Sequence, residues 1–170
     1  MLRFLLLFLA IQAVLFGVEL LGAVQRAIVM PFTGLLADFS ALLVRAFDRD
    51  VVAFGNVIRS TANGFGVSIQ PGCNAVEACI VLAAAILAFP ARWREKAIGL
   101  ALGLVAVQAV NIVRIVSLFY LGQWNLAWFE FAHLYLWQAL IMLDVLAVWL
   151  VWVRHLARRG LLAAPAPRAA

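Results

Sequence analysis

The chain has 170 residues, of which 67% are hydrophobic and 12% are charged, and its mean hydropathy is +1.07. Soluble domains have about 45–50% apolar and about 25% charged residues, so this composition excludes an ordinary soluble domain. The formal net charge of +5 does not indicate nucleic-acid binding, because the basic residues form short clusters beside apolar stretches. The composition predicts an all-α polytopic membrane protein, with residues 1–160 as a single integral membrane domain.

The chain opens with an apolar run from Phe4 to about Val24. This run is longer than the core of about 7–15 residues in a signal peptide and lacks a clear cleavage site, so we predict a retained anchor over 4–24. The next stretch, 27–47, is largely apolar but contains Pro31 and Asp38. Its large apolar residues recur at helical spacing, which favours an amphipathic helix in the membrane interface over a further span. These residues are Ile28, Phe32, Leu35, Phe39, Leu42 and Leu43.

A small β-hairpin is predicted after this helix. The segments 51–59 and 65–70 are partly β-branched or alternating, and the stretch 60–64 between them is rich in turn formers. The hairpin completes an outer segment over 27–72 and leads through Pro71 to Cys73, the first residue with a candidate chemical role.

Three further stretches are apolar enough to be membrane spans, namely 74–89, 97–121 and 132–153. Basic residues cluster at Arg3, in the loop 92–96 and in the C-terminal tail. By the positive-inside rule these regions are cytoplasmic, which puts both termini inside and gives four spans. The Ala- and Pro-rich tail, 161–170, is predicted to be disordered.

Cys73 lies at the outer start of the second predicted span. Asn74 can cap this helix and Glu77 can return a bond, as in a capping box. A thiol beside a helix N-terminus can have a lowered pKa, so Cys73 is a candidate nucleophile; the alternative is a small apolar residue that only packs. Cys79 is expected to pack inertly, and the spacing of the two cysteines fits neither a local disulfide nor a CxxC site.

Arg114 lies within the third predicted span, where a charge is costly and usually faces a protein interior or a wet cavity. We predict a functional role, with snorkelling to the interface as the alternative. Asn111 is expected to share its face, whereas Gln108 and Ser117 are expected to form interhelical hydrogen bonds. In the last span, Asp144 is expected to face the bundle and to pair with Asn111 or Gln108.

His133 opens the fourth predicted span after an aromatic loop, 124–130. His155 falls in the basic tail, so His133 is the only histidine expected on the outer side. Paired with an outer cysteine it can act as general base and acid; alone it is an interfacial polar residue. Glu130 is a candidate to orient its ring. The sequence contains no metal-ligand cluster, phosphate loop or nucleotide fingerprint, so chemistry without a cofactor is expected.

The ordered set of Gly72–Ala78, Asn111–Arg114 and His133 resembles the exosortase/archaeosortase family of membrane transpeptidases. The stretch 55–60 and the short chain resemble the exosortase H subfamily, and the resemblance covers about residues 50–153. Members usually have more than four spans. The resemblance implies Cys73 as nucleophile, His133 as its base and Arg114 as a group that stabilises the oxyanion or positions the substrate.

The resemblance also implies the substrates and the location. The substrates are exported proteins with a C-terminal sorting signal, consisting of an IPTL-type motif, a membrane helix and a basic cluster. The enzyme lies in the bacterial inner membrane with its site facing outward. Expected partners are these proteins and membrane lipid, without nucleic acid, and the oligomeric state is open.

Two other functions stay open at this point. One is a cysteine protease of the same architecture that only hydrolyses. The other is a non-enzymatic membrane assembly or transport subunit, in which Arg114 and Asp144 hold helices together. A channel or transporter is disfavoured, because the sequence has no inverted repeat.

Overall fold

A computed structural model describes residues 2–161. These residues form five helices and one small antiparallel sheet. In chain order the elements are α1 (Leu2–Glu19), α2 (Gly22–Arg45), β1 (Val51–Phe54), β2 (Val57–Ser60), β3 (Gly66–Ser68), α3 (Val76–Ala88), α4 (Trp93–Trp124) and α5 (Leu126–Arg158). Two helices contain a π-helical segment, Gln25–Val29 in α2 and Ala132–Leu136 in α5.

Four helices of the described chain are long and apolar enough to cross a membrane, namely α1, α2, α4 and α5. The all-α polytopic class is therefore confirmed, and the number of candidate helices is the predicted one, although the set differs. The predicted span 74–89 contains α3, which has 13 residues. Its rise of about 20 Å is less than a hydrocarbon core of about 30 Å. It ends where Phe89 becomes extended before Pro90.

Helix α2 turns its smaller side chains toward the protein. Its buried residues are Thr33, Leu36, Ala37, Ser40, Ala41 and Val44. The large apolar residues that predicted an amphipathic helix lie mostly on the other side, and Leu35 is 67% exposed. An exposed face of this kind suits contact with lipid. With 24 residues the helix is also long enough to span, so the interfacial placement of 27–47 stays a prediction.

The sheet has the order β1-β2-β3, with both pairings antiparallel. Strands β2 and β3 form the predicted hairpin. The predicted first strand, 51–59, is itself a hairpin of β1 and β2, because Gly55 adopts φ +59° and makes a two-residue turn with Asn56. The sheet covers the C-terminal half of α4, and α2 packs on the sheet and on α4.

Two apolar clusters stabilise the fold. The outer cluster joins α2, the sheet and α4 through residues such as Val44, Ile58 and Phe119. The inner cluster joins α3, α4 and α5 through residues such as Leu82 and Leu156. Helix α1 packs along α3. Cys73 packs against the outer cluster and Ala75 belongs to the inner one, so the loop before α3 lies where the two clusters meet.

The aromatic stretch 124–130, predicted as a loop, is mostly helical. Asn125 caps the start of α5, and its Oδ1 accepts hydrogen bonds from the backbone N–H groups of Ala127 at 2.9 Å and Trp128 at 3.2 Å. Of the predicted disordered tail, 161–170, all but Leu161 lies outside the described residues.

Candidate active site

A tight turn positions Cys73. Pro71 and Gly72 are the two central residues, Gly72 has φ +87°, and the N–H of Cys73 donates to the carbonyl of Gln70 at 2.9 Å. Proline followed by a glycine with positive φ is the pattern of a type II turn. The Pro-Gly pair in the sequence therefore fixes the direction from which the thiol-bearing residue enters the bundle.

Asn74 fixes the chain just after the thiol. It is 0% exposed, and its Nδ2 donates to Thr33 Oγ1 at 3.0 Å. Its Oδ1 accepts from the N–H of Val76 at 3.1 Å, and its carbonyl accepts from Gln108 Nε2 at 3.2 Å. Ala75 has φ +57°, a conformation that side-chain-bearing residues rarely adopt. Contacts from α2 and α4 thus hold a strained loop in place.

The predicted capping box does not form. Asn74 bonds to the N–H two residues later, and the left-handed Ala75 is the residue before α3. Asn74 is thereby displaced from the capping position. The Oε2 of Glu77 is buried without a hydrogen-bond partner among residues 2–161. Glu77 is close enough to influence Cys73 by its charge, but it does not return a bond to Asn74 as predicted.

The structure brings Cys73, Arg114 and His133 together from three parts of the chain. Cys73 Sγ lies 3.1 Å from His133 Nε2, and Arg114 Nη2 lies 3.8 Å from the same sulfur. Arg114 is only 2% exposed. A proton can pass directly between sulfur and imidazole at this distance, and the guanidinium places a fixed positive charge beside both.

The thiol itself is half-buried on the loop ahead of α3. Burial raises the pKa of Cys73 above its ordinary value, while Arg114 acts to lower this pKa and Glu77 to raise it further. The predicted lowering of the pKa by the helix start is therefore wrong, because desolvation is the larger effect. A thiol of this kind needs a base, and His133 Nε2 is within reach.

His133 lies on the π-helical segment of α5, a distortion often found at functional sites. The ring of Phe129 stacks against its imidazole, with centroids 5.6 Å apart and an interplanar angle of 23°. Glu130 is exposed. The ring neighbour is thus Phe129, one helical turn away, and not the predicted Glu130.

The polar stripe of α4 continues from the site toward the basic end. Asn111 is 0% exposed and donates from Nδ2 to Gln108 Oε1 at 3.3 Å. Gln108 also reaches α3, where its Nε2 lies 3.5 Å from Cys79 Sγ. The predicted interhelical role of Gln108 is confirmed. Asn111 lies on the buried side with Arg114, as predicted.

Two other predictions for polar residues are wrong. Ser117 donates to the carbonyl of Arg114 in its own helix at 2.9 Å instead of bonding to another helix. Asp144 makes no bond to Asn111 or Gln108, and its Oδ2 is buried without a partner among residues 2–161. A side chain on an inward face does not necessarily reach a polar group, because packing sets the distance.

A cavity of ≈130 Å³ opens beside the three residues. Its lining is mainly apolar and combines β3, α4 and α5: Gly66, Val67, Ser68, Ile69, Cys73, Arg114, Ile115, Leu118, Phe129 and His133. A larger cavity of ≈1090 Å³ lies between α4 and α5 at the basic end, and none of the three site residues lines it. The smaller cavity is the one lined by Cys73, Arg114 and His133.

Several of these residues were not predicted. Thr33 holds Asn74, Phe129 stacks on the imidazole, and β3 forms one wall of the cavity. The sequence signal for Thr33 is its place on the face of small and polar residues in α2. Within residues 2–161, no group of three or more His, Cys, Asp or Glu side chains is arranged to hold a metal ion.

The fold and the site together define a multi-pass membrane protein with a cysteine, a histidine and an arginine converging beside one cavity. A family model described as transmembrane exosortase matches residues 1–147. The chain belongs to the transmembrane exosortase family. No curated protein and no solved structure matches it.

Proposed function

We propose that this chain is a membrane cysteine transpeptidase that cleaves the C-terminal sorting signal of exported proteins. The observation that carries the proposal is the 3.1 Å approach of Cys73 Sγ to His133 Nε2, with the buried Arg114 at 3.8 Å, beside a cavity. Membership of the exosortase family supports the class. The resemblance to exosortase H adds the substrate, an IPTL-type motif followed by a membrane helix and a basic cluster.

In the acylation step, His133 Nε2 accepts the thiol proton and Cys73 Sγ attacks the scissile carbonyl carbon. Arg114 stabilises the negative charge that develops on the carbonyl oxygen, and its Nε has no hydrogen-bond partner among residues 2–161. Donors of this kind are often worth about 3–4 kcal/mol. The imidazolium then protonates the leaving nitrogen, the C–N bond breaks, and a thioester with Cys73 remains.

In the second step, an amine, a hydroxyl or water attacks the thioester. His133 accepts the proton of the attacking group, the C–S bond breaks, and the sulfur regains a proton as the thiol. An amine or hydroxyl acceptor makes the enzyme a transpeptidase or transferase. Water makes it a protease, so the mass of the product distinguishes these reactions.

The depth of the site fits a substrate anchored in the same membrane. Helix α4 begins at Trp93, beside the basic loop 92–96. Arg114 lies about 32 Å further along the axis, close to the core thickness of about 30 Å. With the basic loop in the cytoplasm of a bacterial cell, the site is at the outer interface. A substrate helix crossing the bilayer would present its preceding motif there.

The test is co-expression with a tagged exported substrate that carries an IPTL-type signal. Substrate size and product mass are compared for wild type, Cys73→Ala and the control Cys79→Ala. Cys79 is also partly buried, but it bonds to Gln108 and does not line the cavity. Processing should disappear with Cys73→Ala and persist with Cys79→Ala, and the product should end at the motif.

Three other outcomes would change the proposed reaction or the roles of its residues. A product that has gained only water identifies a protease that hydrolyses. Equal processing by wild type and Cys73→Ala, with none when the protein is absent, would remove Cys73 as nucleophile and favour an assembly subunit. Cleavage by Arg114→Ala at the wild-type rate would refute the role assigned to the guanidinium.

A further inference from the structure

Strand β3 is an edge strand that borders the cavity of the nucleophile. The order β1-β2-β3 gives β3 one hydrogen-bonded neighbour in the sheet. Residues Gly66, Val67 and Ser68 of this strand line the cavity together with Cys73. The edge of the sheet and the reactive sulfur thus share one space.

The backbone bonds that join β3 to β2 identify which residues face the free edge. The carbonyl of Phe65 accepts from the N–H of Ser60 at 2.8 Å, and the N–H of Ile69 donates to the carbonyl of Asn56 at 2.8 Å. In an antiparallel pair, successive residues alternate between bonding to the neighbour and facing away from it. Val67, midway between the two bonded positions, therefore also bonds toward β2.

Gly66 and Ser68 are the alternate residues, so their N–H and C=O groups point away from β2. Both residues are exposed and both line the cavity. Gly66 has no side chain, so its backbone itself forms part of the wall. An edge with free donors and acceptors is a template for another strand.

We infer that the sorting motif of the substrate binds as an extended strand on the free edge of β3, where it pairs with Gly66 and Ser68 and delivers its scissile carbonyl to Cys73. The inference rests on the proposed function. In strand addition, backbone bonds supply affinity and side-chain pockets supply specificity. The pocket here is the cavity beside the sulfur.

The cavity selects a small apolar side chain. Its volume is ≈130 Å³, and Val67, Ile115, Leu118 and Phe129 supply most of its apolar wall. An extended peptide turns alternate side chains to opposite faces, so only every second residue of the motif can enter the cavity. Backbone pairing fixes the register, and the pocket then selects the residue next to the scissile bond.

The first test uses Ser68→Pro, which removes one N–H at the free edge and leaves the bonds to β2 intact. Proline is tolerated on an edge strand when its nitrogen faces outward. The control is Ser68→Ala, which keeps the N–H and loses the hydroxyl that accepts from Gln70 Nε2 at 2.7 Å. We expect Ser68→Pro to process the substrate roughly fivefold to tenfold more slowly than Ser68→Ala, because only the proline variant lacks the backbone N–H. Labelling of Cys73 by iodoacetamide at the wild-type rate shows that the site of Ser68→Pro is folded.

Full processing by Ser68→Pro would overturn the inference, and so would equal losses in the two variants. If Ser68→Pro fails to fold, the test uses wild-type protein and synthetic substrate peptides that each carry one backbone N-methyl group, placed in turn at the residues in and around the motif other than proline. A loss of cleavage with a two-residue period supports pairing at the edge, and a loss without that period refutes it. Processing that survives Cys73→Ala would instead show that the proposed function has failed.

Discussion

The bond between Thr33 and Asn74 gives the sharpest prediction about stability. Both residues are 0% exposed, and Thr33 Oγ1 is the acceptor for Asn74 Nδ2 at 3.0 Å. Thr33→Val keeps the shape of the side chain and removes the oxygen. Since the amide would keep a buried N–H without its partner, we expect the variant to be less stable than wild type.

Leaving a buried donor unsatisfied costs about 1–3 kcal/mol, which corresponds to about fivefold to 150-fold in the folding equilibrium. The hydroxyl of Thr33 also donates to the carbonyl of Val29 at 2.8 Å. That carbonyl belongs to the same helix, so the loss of this second bond adds little. The expected change in unfolding free energy therefore comes mainly from Asn74, the residue directly after Cys73.

The assay is unfolding of the purified protein in mild detergent, with SDS titrated in and helicity followed by circular dichroism. Ser40→Ala is the matched control, because Ser40 lies on the same face of α2, is 0% exposed, and its Oγ has no partner among residues 2–161. Removing that hydroxyl should change the free energy by less than about 0.5 kcal/mol or stabilise the protein.

Two results would refute the reasoning. Thr33→Val as stable as wild type would mean that Asn74 finds another acceptor or that its bond contributes little. Ser40→Ala as unstable as Thr33→Val would mean that the loss reflects general disturbance of the packing of α2.

The other predictions concern the charge beside the thiol and the contact between two helices. Arg114→Gln removes the cation that acts to lower the pKa of Cys73, so that pKa should rise and the midpoint of iodoacetamide labelling against pH should move upward; an unchanged midpoint would contradict this. Gly99→Leu should reduce the yield of folded protein, measured by size-exclusion chromatography in detergent, because a Cβ at this position would lie 2.8 Å from Trp152 Cε2. The control is Gly17→Leu, which should behave as wild type because a Cβ there meets nothing within 4 Å.

The three central residues could be predicted from the sequence because each is costly or unusual where it stands. An arginine inside an apolar helix and a cysteine at the end of a Pro-Gly turn need a reason, and His133 supplies the partner. Their convergence within hydrogen-bonding distance required the structure, since the Cys73–His133 contact joins residues 60 positions apart.

The remainder of the site depends on packing that local patterns do not encode. Thr33 and Asn74 are separated by 41 positions, and Asn56 meets Ile69 only because a second turn at Gly55 divides the predicted strand. Hydrophobic periodicity located the two faces of α2. It did not show which face meets protein, because lipid accepts the large apolar side chains and leaves the small ones inside.

The start of α3 also depends on contacts that the local sequence does not show. The apolar stretch 74–89 has the composition of a span, and its first residues match a capping pattern. The positive φ of Ala75 delays the helix to Val76, and the bonds of Asn74 to other elements stabilise that conformation. Local sequence favoured a cap, and tertiary contacts determined the outcome.

The two apolar clusters share α4, with Ile115 and Phe119 in the outer one and Val107 in the inner one. Changes in the outer cluster alter the wall that an incoming chain would meet, while the inner cluster continues to hold α3 and α5. Under the proposed function, substrate preference can therefore diverge among family members without a change in the helices that hold the protein in the bilayer. An exchange of residues 22–72 between two such proteins should transfer only the part of the preference that depends on β3, because Ile115, Leu118 and Phe129 of the cavity wall lie on α4 and α5.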